Sequence, residues 1–151
     1  MSGIKKNAVS CFIDSNVWLY AFIETSSKDE NRKRQIAKKI VQVDNIFIST
    51  QVINEVCVNF LRKTSVTEEE IQALILSFYN KFTIVELDTN VLLTASRLRD
   101  KYSFSFWDSI IVSTAFNADC EIFYSEDMQD GFKVEEKLRT INPFKFDNEK
   151  K

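Results

Sequence analysis

A parallel β-sheet covered by helices on both faces is the fold class predicted for this chain, on three observations. Short apolar runs alternate with segments of helical periodicity from end to end. The stretches between the runs are long enough for a helix or a helix pair, with no hairpin-length joins, so neighbouring strands run parallel. Capping signatures open three of the helical segments: Ser27 with Glu30, Thr67 with Glu70, and Ser105 with Asp108 in place of Glu. At 151 residues the chain suits one domain with one sizeable core, expected over 1–144, followed by a charged tail, 145–151, expected to fray.

The elements follow in order. Residues 9–13 read as a buried strand that stops at Asp14, and 16–22 as a short helix. The Ser27 cap opens a helix to about Val43, with Ile36, Ala37, Ile40 and Val43 facing inward. A second strand covers 46–49. In the helix expected over 50–63, Val52, Val56 and Phe60, flanked by Ile53, Cys57 and Leu61, make the apolar face, and Gln51, Glu55, Asn59 and Arg62 fall on another side. After the Thr67 cap, Ile71, Leu74, Ile75 and Phe78 form an i, i+3, i+4, i+7 stripe. A third strand covers 82–87, and Asp88 or Thr89 caps a helix carrying Val91, Leu92, Ala95 and Leu98. The apolar helix 106–117 leads to a fourth strand, 121–124, which ends at Ser125-Glu126-Asp127, and 138–141 reads as a fifth.

Composition excludes several classes. No apolar run is long enough to span a bilayer, the N-terminal apolar stretch is too short for a secretory signal, and a cytoplasmic protein is the expectation. Cys11, Cys57 and Cys120 are odd in number, widely spaced and apolar in context, which points to core residues, not a disulfide framework or a zinc site. The chain has no histidine, so chemistry resting on imidazole is excluded. A net charge of -2 does not mark a nucleic-acid binder, nor forbid one, since phosphate affinity needs only a local patch. The basic stretch from Lys28 to Lys39 reads as a solvated helix face.

Against that background four acids stand out. In an open parallel sheet, ligands sit outside the carboxyl ends of the strands. Asp14 and Asp127 each follow a strand, Asp108 lies in the first turn of a helix entering the same edge, and Glu55 lies five residues into the helix after the second strand. Each has a structural reading of its own: Asp14 a helix cap, Asp108 half of a capping box, Glu55 a partner for Arg62, Asp127 a turn residue. Capping does not explain why all four share one edge. Two carboxylates about 4 Å apart repel by roughly 4 kcal/mol at an effective dielectric of about 20. Such a cluster needs a cation or a retained proton. All-oxygen donors suit Mg²⁺ or Mn²⁺, and the set points to a metal-dependent phosphodiester-cleaving site. Crowding predicts that Asp14→Asn or Asp108→Asn stabilises the metal-free fold.

The segments FIDSNVWLYAF, STQVINEVCVNFLRK and SFWDSIIVSTAFNADCEIFYSEDMQDG resemble the acid-bearing stretches of PIN domains, especially the VapC-like ribonuclease toxins, over about residues 10–143. The resemblance implies a three-layer α/β/α sandwich, RNA cleavage dependent on Mg²⁺ or Mn²⁺, a homodimer and a cognate antitoxin whose C-terminal segment enters the groove. It assigns the four acidic roles to Asp14, Glu55, Asp108 and Asp127, with Glu126 and Asp130 as competitors for the fourth, and supporting positions to Asn16 and Ser125. On this reading Asp14 and Asp108 would hold the principal ion, Asp127 would complete the site, and Glu55 would hold a coordinated water or a second ion. Arg32, Lys33 and Arg62 are the candidates for RNA phosphate contacts. Phe106 and Trp107 are expected to plug the space behind Asp108 in preference to stacking a base.

Two other readings stand beside it. A phosphoryl-transfer or receiver-like Mg²⁺ module also uses acids at strand ends, but would pair acids after its first strand, where Asp14 stands alone. An inactive α/β interaction module would keep the acids without the chemistry.

Overall fold

The computed structural model describes residues 8–145, so all of the expected tail except Lys145 lies outside the described residues. β1 (Cys11–Ile13) leads through α1 (Ser15–Phe22) and α2 (Lys28–Ile40) to β2 (Ile46–Ser49). Then α3 (Thr50–Lys63) and α4 (Glu68–Lys81) lead to β3 (Thr83–Val85), and α5 (Thr89–Tyr102) and α6 (Phe106–Asn117) to β4 (Ile122–Tyr124). A short β5 (Lys133–Val134) and β6 (Leu138–Ile141) complete one sheet of order β3-β2-β1-β4-β6-β5.

The chain builds outward from β1 to β3, then crosses back to lay β4 on the other side of β1. Right-handed crossovers place α1 to α4 on one face and α5 and α6 on the other, a three-layer α/β/α sandwich. The carboxyl ends of β1 and β4 therefore flank the switch point where such sheets bind ligands. The expected sheet needs one correction. β5 runs antiparallel to β6 through a tight connection. Gly131 turns the chain into β5 with φ +76 and donates its N–H to the Thr140 carbonyl at 2.7 Å. Two residues are too short to show a period-two pattern, which is why β5 is not legible in advance.

The caps form as residue chemistry requires. Thr67 and Glu70 close both halves of a capping box, at 3.1 and 2.9 Å. Ser27 makes only its own half, because the Glu30 carboxylate accepts from the Thr25 hydroxyl at 3.0 Å. Asp88 caps α5 through the Val91 N–H at 2.9 Å.

The core lies between sheet and helices. Phe12 and Phe123 meet edge-to-face across β1 and β4 at 5.4 Å. On the α1 side, the buried Trp18 packs against Phe22, Phe78 and Phe82 and donates its indole N–H to the Ile13 carbonyl at 3.1 Å. That bond pins α1 to the last residue of β1. The three cysteines are free and buried, as expected. Three expected buried positions are exposed: Val9 at 46% because β1 begins at Cys11, Val43 at 46% because α2 stops at Ile40, and Leu61 at 41% on the flank of the buried stripe of α3. Among the described residues no helix is long and apolar enough to cross a membrane.

Trp18→Ala should cost about 3–5 kcal/mol in guanidinium melts. Leu93→Ala, at a position 65% exposed, should stay within about 0.5 kcal/mol of the parent.

Candidate active site

Asp14 follows β1 directly, caps α1 and is 8% exposed. One carboxylate oxygen accepts from the Ser15 N–H at 2.8 Å and the other from the Ser125 hydroxyl at 2.8 Å. Its own N–H donates to the Tyr124 carbonyl at 2.9 Å, so the ends of β1 and β4 are laced together at the switch point. Burial pushes the Asp14 carboxyl up to about 6, the Ser125 and Ser15 hydrogen bonds oppose the rise, and the charges of Glu55 and Asp127 add to it. Two of the other three predicted acids are thus near enough to act on Asp14.

Ser125, fully buried, does two jobs, because its oxygen also accepts from the Asp127 N–H at 3.1 Å. Asn16, the second residue of α1, reaches the same loop. Its amide donates to the Asp127 carboxylate at 3.1 Å and its carbonyl accepts from the Glu126 N–H at 3.3 Å. The competitors for the fourth acid are engaged elsewhere. Glu126 pairs with Lys33 and accepts from the Tyr20 hydroxyl at 3.0 Å, and Asp130 accepts from the Asn142 N–H at 2.9 Å. Asp127 is the exposed acid of this loop that faces Asn16.

Asp108 is exposed in the first turn of α6 and lines a cavity with Asp127. Only the Ser105 half of the expected capping box forms, with the Asp108 N–H on the Ser105 hydroxyl at 3.2 Å. Glu55 is half-buried on α3 and lines a cavity with Trp107 and Ile110, on either side of Asp108 along α6. The four acids therefore ring one edge, with Asp14 at its floor. Among the described residues, no group of three or more is close enough to hold a metal ion. The edge is an open acidic rim, not a closed cage.

The predicted phosphate contacts divide. Arg32 donates to the Phe144 carbonyl at 3.1 Å and pairs with Asp29 at 3.3 Å, while Lys33 is tied to Glu126 and lies over the Tyr20 ring. The Glu126 hydrogen bond holds the Lys33 ammonium above its usual range, against the cost of burial. Both line a cavity with Asp127 and Lys145. Arg62 is exposed in the last turn of α3, and its neighbour Lys63 lines a cavity with Asn16 and Glu126. Sequence reasoning missed the Tyr20–Glu126–Lys33 clamp. Its one signal was the four-residue spacing of Asn16 and Tyr20, which puts both on one side of α1. The expected plug is also corrected: Phe106 is 53% and Trp107 67% exposed. At the first turn of a helix that begins at the sheet edge, they have no layer behind them to fill.

The PIN domain family model matches residues 11–133. This chain belongs to the PIN domain family. No curated protein sequence matches it. Among solved structures, a toxin–antitoxin complex from Klebsiella pneumoniae is similar to this PIN domain at 18% identity and a TM-score of 0.65, over 89% of this chain and 98% of that one. Mycobacterium tuberculosis VapC20, a sarcin–ricin loop cleaving toxin, is similar at 13% identity and a TM-score of 0.58, over 76% and 87%. VapBC2 from Rickettsia felis, bound to a promoter DNA fragment, is similar at 17% identity and a TM-score of 0.58, over 89% and 98%. At these identities the likeness is one of fold.

The donors of this PIN domain suit a hard divalent cation in type, and burial has left Asp14 with charge that its two hydrogen bonds do not fully offset. The linkage sign follows. A carboxyl whose folded pKa is raised from 3.8 to about 6 binds its proton more tightly when folded, so its contribution is full below about pH 4 and is lost as the pH rises through 6. Asp14→Asn should therefore stabilise the metal-free protein at pH 7.5 by about 3 kcal/mol, and far less at pH 4, in paired melts with chelator. Asp108 does not share this expectation. It is exposed, and the α6 dipole favours its charge, so Asp108→Asn should leave the fold unchanged or slightly weaker.

Proposed function

We propose that this PIN domain is a metal-dependent endoribonuclease acting as the toxin of a toxin–antitoxin pair. The observation that carries the proposal is the buried Asp14 carboxylate at the switch point, with the charges of Glu55 and Asp127 acting on it. Family membership and a likeness to toxin–antitoxin complexes support the reading. Asp14, Asp108 and Asp127 would hold Mg²⁺ or Mn²⁺, with Glu55 beside them. Bound there, the ion supplies charge stabilisation at the phosphoryl oxygens and lowers the pKa of water.

The protein's own part is orientation. Ser125 aims Asp14 and fixes the Asp127 backbone, and Asn16 steadies the Asp127 carboxylate. Glu55 would hold the attacking water or a second ion. Lys33 and Arg32, which line a cavity with Asp127, and Arg62 on α3 are the candidates for the neighbouring phosphates, which makes activity fall with added salt. The cognate antitoxin, the homodimer and a cytoplasmic setting belong to the same proposal.

A second reading has one observation in its favour: the acids form no closed metal-holding group among the described residues. On that reading the chain is an inactive α/β interaction module. End-labelled RNA with Mg²⁺ or Mn²⁺ separates the two. The nuclease leaves 5′-phosphate and 3′-hydroxyl ends and loses cleavage in Asp14→Asn and Asp108→Asn, while Ser125→Ala, acting through Asp14, lowers the rate about 10- to 100-fold. A 2′,3′-cyclic phosphate product contradicts metal-assisted hydrolysis, and no cleavage across an RNA panel favours the interaction module.

A further inference from the structure

We propose that Trp107 is the platform of a base subsite, stacking one unpaired nucleobase of the RNA strand beside the acidic rim. The inference rests on the nuclease reading and deepens it. Trp107 directly precedes Asp108 and is 67% exposed, although burying an indole is strongly favourable. It is held ready. Trp107 meets Phe106 edge-to-face at 5.1 Å, and the Arg99 guanidinium lies 4.4 Å from the Phe106 ring centroid. Arg99 in turn donates to the Ser109 hydroxyl at 2.8 Å, which donates to the Phe106 carbonyl at 2.6 Å. The aromatic pair thus sits on a braced helix start, with a cation alongside for the strand's charge.

The space beside the indole has a mixed lining. A cavity of about 420 Å³ is bounded by Trp107, Leu87 and Ile110 together with Gln51, Asn54 and Glu55. A nucleobase matches that mixture: an apolar face for the ring, and an edge of donors and acceptors for two amides and a carboxylate. An aliphatic anchor from a protein partner would strand those three polar groups. The cavity contains Glu55, so a base held there lies next to the proposed reaction centre and selects which phosphate enters it.

The test uses the intact chain in chelator, so that nothing is cleaved. Of its two tryptophans Trp18 is buried and Trp107 exposed, which makes emission quenching a report on Trp107. A short single-stranded oligoribonucleotide should quench this emission, and an abasic oligomer of equal length should bind about 5- to 100-fold more weakly by anisotropy. Trp107→Leu should erase that difference and Trp107→Phe should keep most of it. Equal binding of the two oligomers, undiminished discrimination in Trp107→Leu, or no binding by the native chain overturns the proposal. So does a Trp107→Leu protein whose sedimentation changes while its RNA binding does not, which would make the patch a protein contact. Parallel cleavage assays with Mg²⁺ and Mn²⁺ separate the two readings. Cleavage without base discrimination removes the subsite alone, and base discrimination without cleavage removes the nuclease alone.

Discussion

A carboxylate buried at the junction of two parallel strands must be hydrogen-bonded or give up its charge, and Asp14 is placed under that constraint. Its two oxygens take the Ser15 N–H and the Ser125 hydroxyl, and its N–H takes the Tyr124 carbonyl. Immediately before it, the Trp18 indole holds the Ile13 carbonyl. A single residue therefore joins the end of β1, the start of α1 and the end of β4. The loop that carries Asp127 inherits its position from this knot, since the same Ser125 oxygen receives the Asp127 N–H.

From that fixed point the acids grade outward. Asp14 is buried, Glu55 half-buried, and Asp108 and Asp127 exposed. Like charges in a confined space repel, and side chains with freedom to turn toward water do so. Two neighbouring acids are excluded from the group by their partners: Lys33 and Tyr20 engage Glu126, and the Asn142 backbone engages Asp130. Of the three carboxylates in this short loop, Glu126 and Asp130 brace it and Asp127 meets Asn16.

Much of this was legible from residue order. A strand ends where an apolar run meets Asp14, and Thr67-Glu70 is a cap wherever it is followed by an apolar stripe, because both are local effects. The extents of β2, α3 and α6 follow from the same signals. The failures have a common cause. Val43, Leu61 and Trp107 were assigned inward because they are apolar, but an apolar residue is buried only where another layer lies above it. β5 exists because β6 offers it an edge, and its own two residues carry no pattern.

The linear order of residues by itself determined the alternation of strands and helices, and which acids fall at strand ends and first helical turns, because periodicity and capping act over a few residues. Only the tertiary structure decided which of Glu126, Asp127 and Asp130 meets the Asn16 amide with its carboxylate, that Lys33 braces a loop, and that Trp107 stands exposed beside Glu55. Those outcomes depend on partners about a hundred residues away or on the presence of a covering layer, and no local pattern encodes either.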